Sequence, residues 1–333
     1  MTAAPLLAID NLGKTFTRKL DAAGKIAVRV GLAKEPQAVR AVHDVSLQIA
    51  QGEVFGLVGE SGCGKSTLGR MIAGIIAPST GTMAYKGQLI DQLSPAERRQ
   101  RRLKMQMIFQ DPYSSLNPRM RVKDIIGEAA QVHGLVQGPL DAFVAAQMER
   151  AGLDPAFRRR YPHQFSGGQR QRIGIARALS VGPEFLICDE AVAALDVSIQ
   201  AQIINLFMDL RDELGLTYLF ISHDLGVVEH IADRVAIMYL GRIVEQAPVE
   251  EIFARAQHPY TQALLSEVPR LDARKRRFTA VKGELPSPLH PPSGCHFHPR
   301  CPLAMPRCSV ERPALRQIAP GHTSACHLAG GDA

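Results

Sequence analysis

A glycine-rich segment, GESGCGKS at residues 59–66, constrains the fold more than any other feature of this sequence. It follows a strongly apolar stretch, EVFGLVG at 53–59, and precedes residues 65–75, whose apolar side chains recur at helical spacing. A strand, a glycine-rich turn and a helix in this order match the phosphate-binding pattern G-x-x-x-x-G-K-[ST]. Glycines let backbone N–H groups turn inward as an anion-binding nest, and the helix N-terminus adds the positive end of a dipole. The sequence therefore predicts a nucleotide phosphate loop, in preference to a plain surface turn.

The polar residues of this loop have separate predicted roles. Lys65 supplies a positive charge for the β- and γ-phosphates, the hydroxyl of Ser66 can bind Mg²⁺, and Thr67 can add a phosphate contact. The predicted ATP-binding residues of the loop are Gly59, Glu60, Ser61, Gly62, Cys63, Gly64, Lys65, Ser66 and Thr67.

Composition excludes several classes of protein. The chain has 333 residues, of which 46% are apolar and 21% charged, as in folded globular proteins and unlike disordered ones. Aromatic residues make up only 5% and Trp is absent, which argues against a base-stacking nucleic-acid surface. The net charge of +7 is compatible with any anionic partner and does not choose among them.

Cysteine usage and hydropathy point to the cytoplasm. Six Cys in a chain of this length are too sparse for a disulfide scaffold. Residues 1–10 lack the pattern of a signal peptide, and no stretch reaches about 18 uninterrupted apolar residues. We therefore expect a cytoplasmic protein without a membrane span.

Strands and helices alternate along most of the chain, which predicts a mostly parallel α/β sheet with its ligand at the carboxyl ends of the strands. The polar stretch at 17–39 is expected to be a loop, 112–179 a helical insert, and Leu240-Gly241 a hairpin turn. After about residue 266 periodicity fades, so a boundary is expected there. Predicted strands lie at 6–12, 45–49, 53–59, 105–110, 185–190, 218–222, 235–239 and 242–246, and a predicted helix at 197–214.

Two carboxylates end one of the apolar strands, FLICDE at 185–190. Asp189 is placed to hold Mg²⁺ beside the phosphate loop, and Glu190 to orient or deprotonate an attacking water. Gln110 and His223, each at the end of another strand, could reach the metal, the water or the γ-phosphate. Taken alone, a His after a strand is more often a structural residue, and a Gln there is an ordinary polar strand terminus, so neither residue is persuasive by itself.

A second motif, FSGGQRQR at 165–172, decides the class of protein. It resembles the L-S-G-G-Q signature of ATP-binding-cassette (ABC) ATPases. The other motifs occur in that family's order: phosphate loop, Gln110 as the Q-loop, signature, Asp189-Glu190, Ala194-Leu195-Asp196 as the D-loop, and His223 as the switch histidine. The resemblance implies an α/β P-loop NTPase cassette with a RecA-like core, an antiparallel β subdomain and an α-helical subdomain at about 112–180.

The resemblance also implies how the sites are completed. In this family the signature faces the phosphate loop of a second cassette, and two cassettes enclose two ATP molecules. Ser166, Gly167, Gly168 and Gln169 would then bind the partner's ATP, with Asp196 in the D-loop contact. Three positions depart from the common pattern: Phe165 replaces Leu, Ala191 follows the catalytic Glu where Pro is usual, and Ala194 replaces the D-loop Ser.

Family membership implies the remaining nucleotide contacts. Phe16 would stack on adenine, a core or loop Phe being the alternative. The implied catalytic residues are Glu190, His223 and Lys65, and the implied Mg²⁺ ligands are Ser66, Gln110 and Asp189.

The C-terminal part is similar to the extension of oligopeptide and dipeptide importer ATPases, the peptide/nickel branch. The similarity rests on HPYTQALL at 258–265, GELPSP at 283–288 and four tail cysteines: Cys295, Cys301, Cys308 and Cys326. The expected domains are 1–255, the nucleotide-binding domain, and 256–333, the extension. The cysteines are separated by 5, 6 and 17 residues, which is not C-x₂-C zinc spacing. The family implies a [4Fe–4S] cluster on them, while Zn²⁺, free thiols or a disulfide stay open as alternatives.

The resemblance implies an importer assembly on the cytoplasmic face of the inner membrane. The expected partners are a second ABC ATPase subunit of different sequence, two transmembrane permease subunits and an extracytoplasmic solute-binding protein, with no nucleic acid. The loop at 113–119 is the expected dock for a membrane subunit. Peptide, nickel, opine and some sugar importers share this cassette type.

Three other interpretations are less favoured. They are a soluble cassette ATPase of DNA repair or the ribosome, a non-catalytic regulatory cassette, and an exporter.

Overall fold

The computed structural model describes residues 5–17, 30, 37–268 and 283–330. The predicted loop at 17–39 falls mostly outside these residues. The first half of the described chain contains β1 (Leu7–Thr17), β2 (Ala38–Ile49), β3 (Val54–Val58), α1 (Lys65–Ile72), β4 (Thr80–Tyr85), β5 (Gln88–Leu89), α2 (Pro95–Lys104) and β6 (Met105–Ile108).

A small antiparallel sheet forms from the N-terminal strands in the order β2-β1-β4-β5. Its inner face is apolar in alternation with an exposed outer face, as in Val45, Leu47 and Ile49 along β2. This is the antiparallel β subdomain that the family resemblance implies. The helix predicted at 65–75 ends earlier, at Ile72. Gly74, two residues later, has φ 75° and terminates the helix.

The helical insert predicted at 112–179 is confirmed. It contains α3 (Pro112–Ser115), α4 (Val122–Val132), α5 (Leu140–Arg150) and α6 (Gly167–Leu179). Buried Val122, Ile126, Val144, Met148 and Ile173 pack these helices together. The signature motif begins α6, so the insert carries it on a packed helical body.

The second half returns to alternating strands and helices. It contains β7 (Phe185–Asp189), α7 (Val197–Leu214), β8 (Thr217–Ser222), α8 (Leu225–Ile231), β9 (Arg234–Tyr239), β10 (Arg242–Pro248), α9 (Val249–Arg255), α10 (Pro259–Glu267), α11 (Pro306–Val310), β11 (Arg316–Ala319) and β12 (His322–Ser324). The hairpin predicted at Leu240-Gly241 joins β9 to β10, with positive φ at both residues.

The main sheet has the order β11-β12-β10-β9-β3-β8-β7-β6 among the described strands. Pairing is parallel from β9 to β6 and antiparallel from β9 to β11. Both faces are buried: alternate residues of β3, such as Val54 and Phe55, belong to two different apolar clusters. The carboxyl ends of β3, β6, β7 and β8 therefore meet along one edge.

The tail adds structure that the sequence does not predict. Beyond residue 266, where helical and strand periodicity fades, β12 pairs with β10 through Glu245↔Ser324, and β11 pairs with β12. Phe297 is buried in the same apolar cluster as the sheet. The described tail thus continues the main sheet and its core.

Candidate functional site

The phosphate loop lies between β3 and α1, and its shape requires glycine. A Cβ at Gly59 would lie 2.2 Å from Met238 O, and one at Gly64, where φ is 111°, would lie 2.2 Å from Ala41 O. Neighbouring backbone therefore crosses directly against the loop and leaves no room for a side chain.

Lys65 lies buried at the start of α1, inside the loop. Its Nζ donates to Gly59 O at 2.7 Å and to Glu60 O at 3.1 Å. The same ammonium lies 3.9 Å from Oε1 of Glu190. The lysine predicted for the phosphates is therefore held across the loop, pointing toward the acidic end of β7.

Ser66 and Asp189 form an oxygen pair at the end of β7. The Ser66 hydroxyl donates to Asp189 Oδ1 at 2.7 Å. Burial raises the pKa of the Asp189 carboxyl, and the hydrogen bond from Ser66 opposes that rise. A hydroxyl and a buried carboxylate are the hard oxygen donors that Mg²⁺ prefers, so these residues fit the metal that the sequence predicts.

Glu190 is the point where the predicted residues converge. Its Oε2 accepts from Gln110 Nε2 at 2.8 Å and lies 3.5 Å from His223 Nδ1. Its backbone has φ 49°, an uncommon conformation for a residue with a side chain, and its N–H donates to Ile221 O at 3.0 Å. A residue with a side chain adopts this strained conformation only where the surrounding structure imposes it. In this conformation the carboxylate of Glu190 lies within reach of Gln110 and His223.

Gln110 follows β6 instead of ending it, because the strand predicted at 105–110 stops at Ile108. Its side-chain amide donates to Glu190, so the described contact is with the carboxylate predicted to activate water. His223 directly follows β8, with a side chain that is 50% exposed.

The signature residues cap α6. Ser166 Oγ accepts from the Gln169 N–H at 3.3 Å, and Gln169 Oε1 accepts from the Ser166 N–H at 3.0 Å. Ser166 and Gly167 are exposed, and within the described residues no hydrogen bond joins the signature to the phosphate loop. Asp196 is the N-cap residue of α7, and Ile199 of α7 packs against Gly168.

Phe16 lies near the end of β1, paired with Val39 of β2. The residue is 44% exposed, and Lys14 Nζ lies 5.2 Å from the ring centroid. The side chain is thus free to stack on a ligand and does not belong to the buried core.

The four tail cysteines line one cavity of about 20 Å³, together with His258 and Phe297. Burial raises the pKa of the Cys295 thiol to about 11, and the charges of the other three thiols add to the rise. A cationic metal group bound to these thiols would offset the charge of the thiolates. Even so, in the part of the chain that the structure describes, no three His, Cys, Asp or Glu side chains are arranged to hold a metal ion, and all six cysteines are free.

The structure also brings two unforeseen residues to the site. Arg300 forms an ion pair with Glu60 of the phosphate loop at 2.9 Å, and the Tyr260 hydroxyl accepts from the Glu60 N–H at 3.0 Å. Tyr260 belongs to the HPYTQALL segment and Arg300 precedes Cys301. Neither pattern contains information about contacts with Glu60 that are 200 and 240 residues away in sequence.

Within the described ranges, no helix combines the length and the apolar character that a membrane crossing requires.

Comparison with known proteins identifies two families along the chain. The ABC transporter family matches residues 42–193, and the C-terminal region of oligopeptide/dipeptide transporters matches residues 244–308. The first match contains the phosphate loop, the signature and Asp189-Glu190.

Curated relatives match over most of their length, as two examples show. The putative oligopeptide transport ATP-binding protein YkfD of Bacillus subtilis is 52% identical, over 89% of this chain and 92% of the relative. A putative peptide import ATP-binding protein of Brucella ovis is 47% identical, over 98% of both chains.

Solved structures agree in fold. The cassette cbiO1 of Clostridium perfringens, part of an ABC transporter complex, superposes with a TM-score of 0.61 at 27% identity, over 76% of this chain and 92% of the other. The cassette MJ0796, solved as a dimer bound to ADP and Pi, gives a TM-score of 0.61 at 24% identity, over 73% of this chain and 98% of the other, and supports the fold alone. With these matches added to the geometry around Glu190, the chain belongs to the ABC transporter ATPases, in the branch that carries the oligopeptide/dipeptide transporter C-terminal region.

Proposed function

We propose that this chain binds ATP with Mg²⁺, hydrolyses it between two cassettes and thereby powers the uptake of di- or oligopeptides through membrane subunits. The observation that carries the proposal is the set of contacts around Glu190, which joins Gln110, His223 and Lys65 within 4 Å of one carboxylate.

The chemistry is an in-line displacement at the γ-phosphorus. Water attacks phosphorus, its proton passes to Glu190, and the bond from phosphorus to the bridging oxygen of ADP breaks. Lys65 and the N–H groups of residues 59–67 stabilise the charge on the phosphates, and His223 adds a donor to the γ-phosphate. Ser66, Asp189 and Gln110 would hold Mg²⁺, which supplies positive charge to the β- and γ-phosphates when bound.

A second cassette completes each site. ABC cassettes dimerise, and the exposed, N-terminal end of α6 is available for the ATP of a partner. We assign Ser166, Gly167, Gly168 and Gln169 to that contact and Asp196 to the interface beside it. The partner is a second ATPase subunit of different sequence, and Phe16 stacks on the adenine of this chain's own nucleotide.

Peptide is the favoured solute because the relatives named above are described as oligopeptide or peptide transport proteins. Two permease subunits and an extracytoplasmic solute-binding protein would complete the importer, with this chain peripheral on the cytoplasmic face of the inner membrane. The functional division is 1–255 for nucleotide and 256–333 for the extension, with the helical subdomain at about 112–180. The alternatives are import of nickel, opine or sugar, and a role outside transport. Co-purification with membrane subunits tests the role in transport. The affinity of the associated binding protein for peptides separates peptide from the other solutes.

Replacement of Glu190 by Gln tests the assignment of the base. The amide keeps the volume and one acceptor oxygen but cannot take a proton, so ATP binding should persist while turnover falls by at least about 100-fold. Steady-state ATPase assays and size-exclusion chromatography with ATP and Mg²⁺ measure both, and the variant should accumulate as an ATP-bound dimer. Hydrolysis at the wild-type rate would remove Glu190 from this role.

We also propose that Cys295, Cys301, Cys308 and Cys326 hold a metal group, with a [4Fe–4S] cluster favoured by family resemblance and Zn²⁺ as the alternative. The support is the single cavity that all four line. Such a group would cross-link the tail, in which the helices and strands beyond residue 283 are short.

Anaerobic purification with iron, sulfide and zinc analysis tests this proposal. The wild type should be brown, with iron and sulfide close to one cluster per chain, and Cys308→Ser should lose both. Cys188→Ser, in the buried strand β7, is the control and should keep them. Colourless wild-type protein with stoichiometric zinc supports the alternative, and protein with neither metal contradicts the site.

A further inference from the structure

The C-terminal extension reaches the phosphate loop through a charge pair. Arg300 Nη1 donates to Oε1 and Oε2 of Glu60, at 2.9 and 3.1 Å. The Arg300 side chain is only 7% exposed and that of Glu60 26%. Solvent and salt screen a pair at this depth weakly, so removing one charge leaves the other poorly compensated.

The extension also holds the backbone of the same residue. The Glu60 N–H donates to the hydroxyl of Tyr260 at 3.0 Å. At the other end of that peptide group, Gly59 O accepts from Lys65 Nζ at 2.7 Å. The peptide between Gly59 and Glu60 is therefore bound by the tail on one side and by the phosphate-binding lysine on the other.

Aromatic packing keeps the two tail residues in place. Tyr260 is fully buried, with its ring centroid 4.7 Å from that of Tyr239 and 5.3 Å from that of Phe297. Arg300 Nη1 also lies 3.4 Å from the Tyr239 hydroxyl. Side chains locked by packing in this way can position a neighbouring site.

We propose that the C-terminal extension controls nucleotide affinity through Arg300 and Tyr260, which neutralise and position the phosphate loop at Glu60. An uncompensated carboxylate on the loop would repel the phosphates of a nucleotide, and the guanidinium of Arg300 cancels that repulsion. The inference rests on the proposed role of the loop in ATP binding. Arg300 and Tyr260 are positioning residues, since they contact the loop.

The sign of the charge effect gives the test. We measure equilibrium binding of N-methylanthraniloyl-ADP, and KM and kcat for ATP, with the full-length chain. Arg300→Met should weaken binding about tenfold and raise KM more than it lowers kcat, because it exposes the carboxylate of Glu60 to the phosphates. Glu60→Gln should bind more tightly than the wild type, by about threefold, because it removes a negative charge from the loop and leaves the guanidinium of Arg300 unpaired near the phosphates. The double variant, E60Q with R300M, should bind at least about fivefold more tightly than Arg300→Met, because no carboxylate is left to neutralise.

A purely structural tail contact gives a different pattern, in which the double variant binds as weakly as Arg300→Met; that result, or an unchanged affinity of Arg300→Met, overturns the proposal. Arg307→Gln is the matched control, because this tail arginine pairs with Glu311 at 2.7 Å on the surface. It should bind like the wild type.

Two further variants keep the test decisive. If Arg300→Met does not fold, Tyr260→Phe removes only the oxygen that accepts from Glu60, and about threefold weaker binding is expected; an unchanged affinity overturns the proposal. Lys65→Ala should lose binding of the probe. If it binds normally, the proposed function fails; if it alone loses binding while Arg300→Met does not, only this inference fails.

Discussion

At the scale of single residues, the phosphate loop depends on glycines, which have no side chain at positions where neighbouring backbone lies close. Gly64 allows the backbone of β2 to cross the phosphate loop, since its missing Cβ would lie 2.2 Å from Ala41 O. Gly241, in the β9–β10 turn, donates its N–H to Cys63 O at 2.7 Å and accepts from the His43 N–H at 2.8 Å. The loop is therefore held in shape by neighbouring backbone, and only glycine fits at the crossing.

Gly64→Ala tests this crossing. The added methyl group must displace backbone at a position with φ 111°, so we expect loss of nucleotide binding and a fall in ATPase activity of at least about 100-fold. Gly87→Ala is the control: its φ is 77°, but nothing lies within 4 Å of the added Cβ. It should cost about 1 kcal/mol of unfolding free energy, measured by urea denaturation, with normal activity. Equal loss of activity in both variants would contradict the steric explanation.

At the scale of elements, two helices begin with the same capping box, and only one has a proposed ligand. Ser166 caps α6 through Gln169, and Ser94 caps α2 through Glu97, each hydroxyl accepting from the N–H three residues on at 3.3 Å. A capping box satisfies two N–H groups that a helix leaves unpaired at its start. The cap of α6 is thus a structural device, to which the proposed function adds a role as donor to a phosphate.

The paired variants Ser166→Ala and Ser94→Ala separate these two roles. Each should lower the free energy of unfolding by about 1 kcal/mol, as measured by urea denaturation. Only Ser166→Ala should also lower ATPase activity, by about tenfold or more, because its hydroxyl is proposed to contact the partner's nucleotide. Similar activity in the two variants would mean that the signature serine acts as a cap alone.

At the scale of the whole molecule, the tail and the main sheet share one buried polar network. Glu245 of β10 is fully buried and accepts hydrogen bonds from the N–H groups of Gln257 and His258, at 2.6 and 3.0 Å. Its carboxylate also lies 2.8 Å from Nε2 of His322 in β12. His258 in turn caps α10 by accepting from the Tyr260 N–H at 3.1 Å.

This network predicts sensitivity to acid. Burial lowers the pKa of His258 to about 4, below the usual 6.5. Between pH 4 and 6.5 this histidine is therefore protonated in the unfolded chain and neutral in the folded chain. Stability is therefore full above about pH 6.5 and falls as the pH decreases toward 4, with a slope of up to about 1.4 kcal/mol per pH unit. Urea denaturation at several pH values should give a shallower slope for His258→Asn, which keeps a capping acceptor but does not titrate. Parallel slopes for variant and wild type would exclude this histidine as the cause.

Most of the nucleotide site could be predicted from sequence because its parts are local. The turn between β3 and α1, the carboxylates at the end of β7 and the capping serine of α6 each depend on a few neighbouring residues and one hydrogen-bonding or packing pattern. The main errors concern boundaries, such as the strand that stops at Ile108, and the tail, whose strands β11 and β12 are only four and three residues long. Segments so short carry too little periodicity to be detected.

By itself the sequence determined the identity of the phosphate loop, the carboxylates beside it and the family, since motif spacing encodes local backbone geometry. Only the tertiary structure decided that Glu60 meets Arg300 across 240 residues, and that Glu245 meets His322 across 77. The physical reason is that such pairs exist only after the sheet and the tail have packed together. Their partners are chosen by the geometry of the whole core, which no segment of the chain specifies alone.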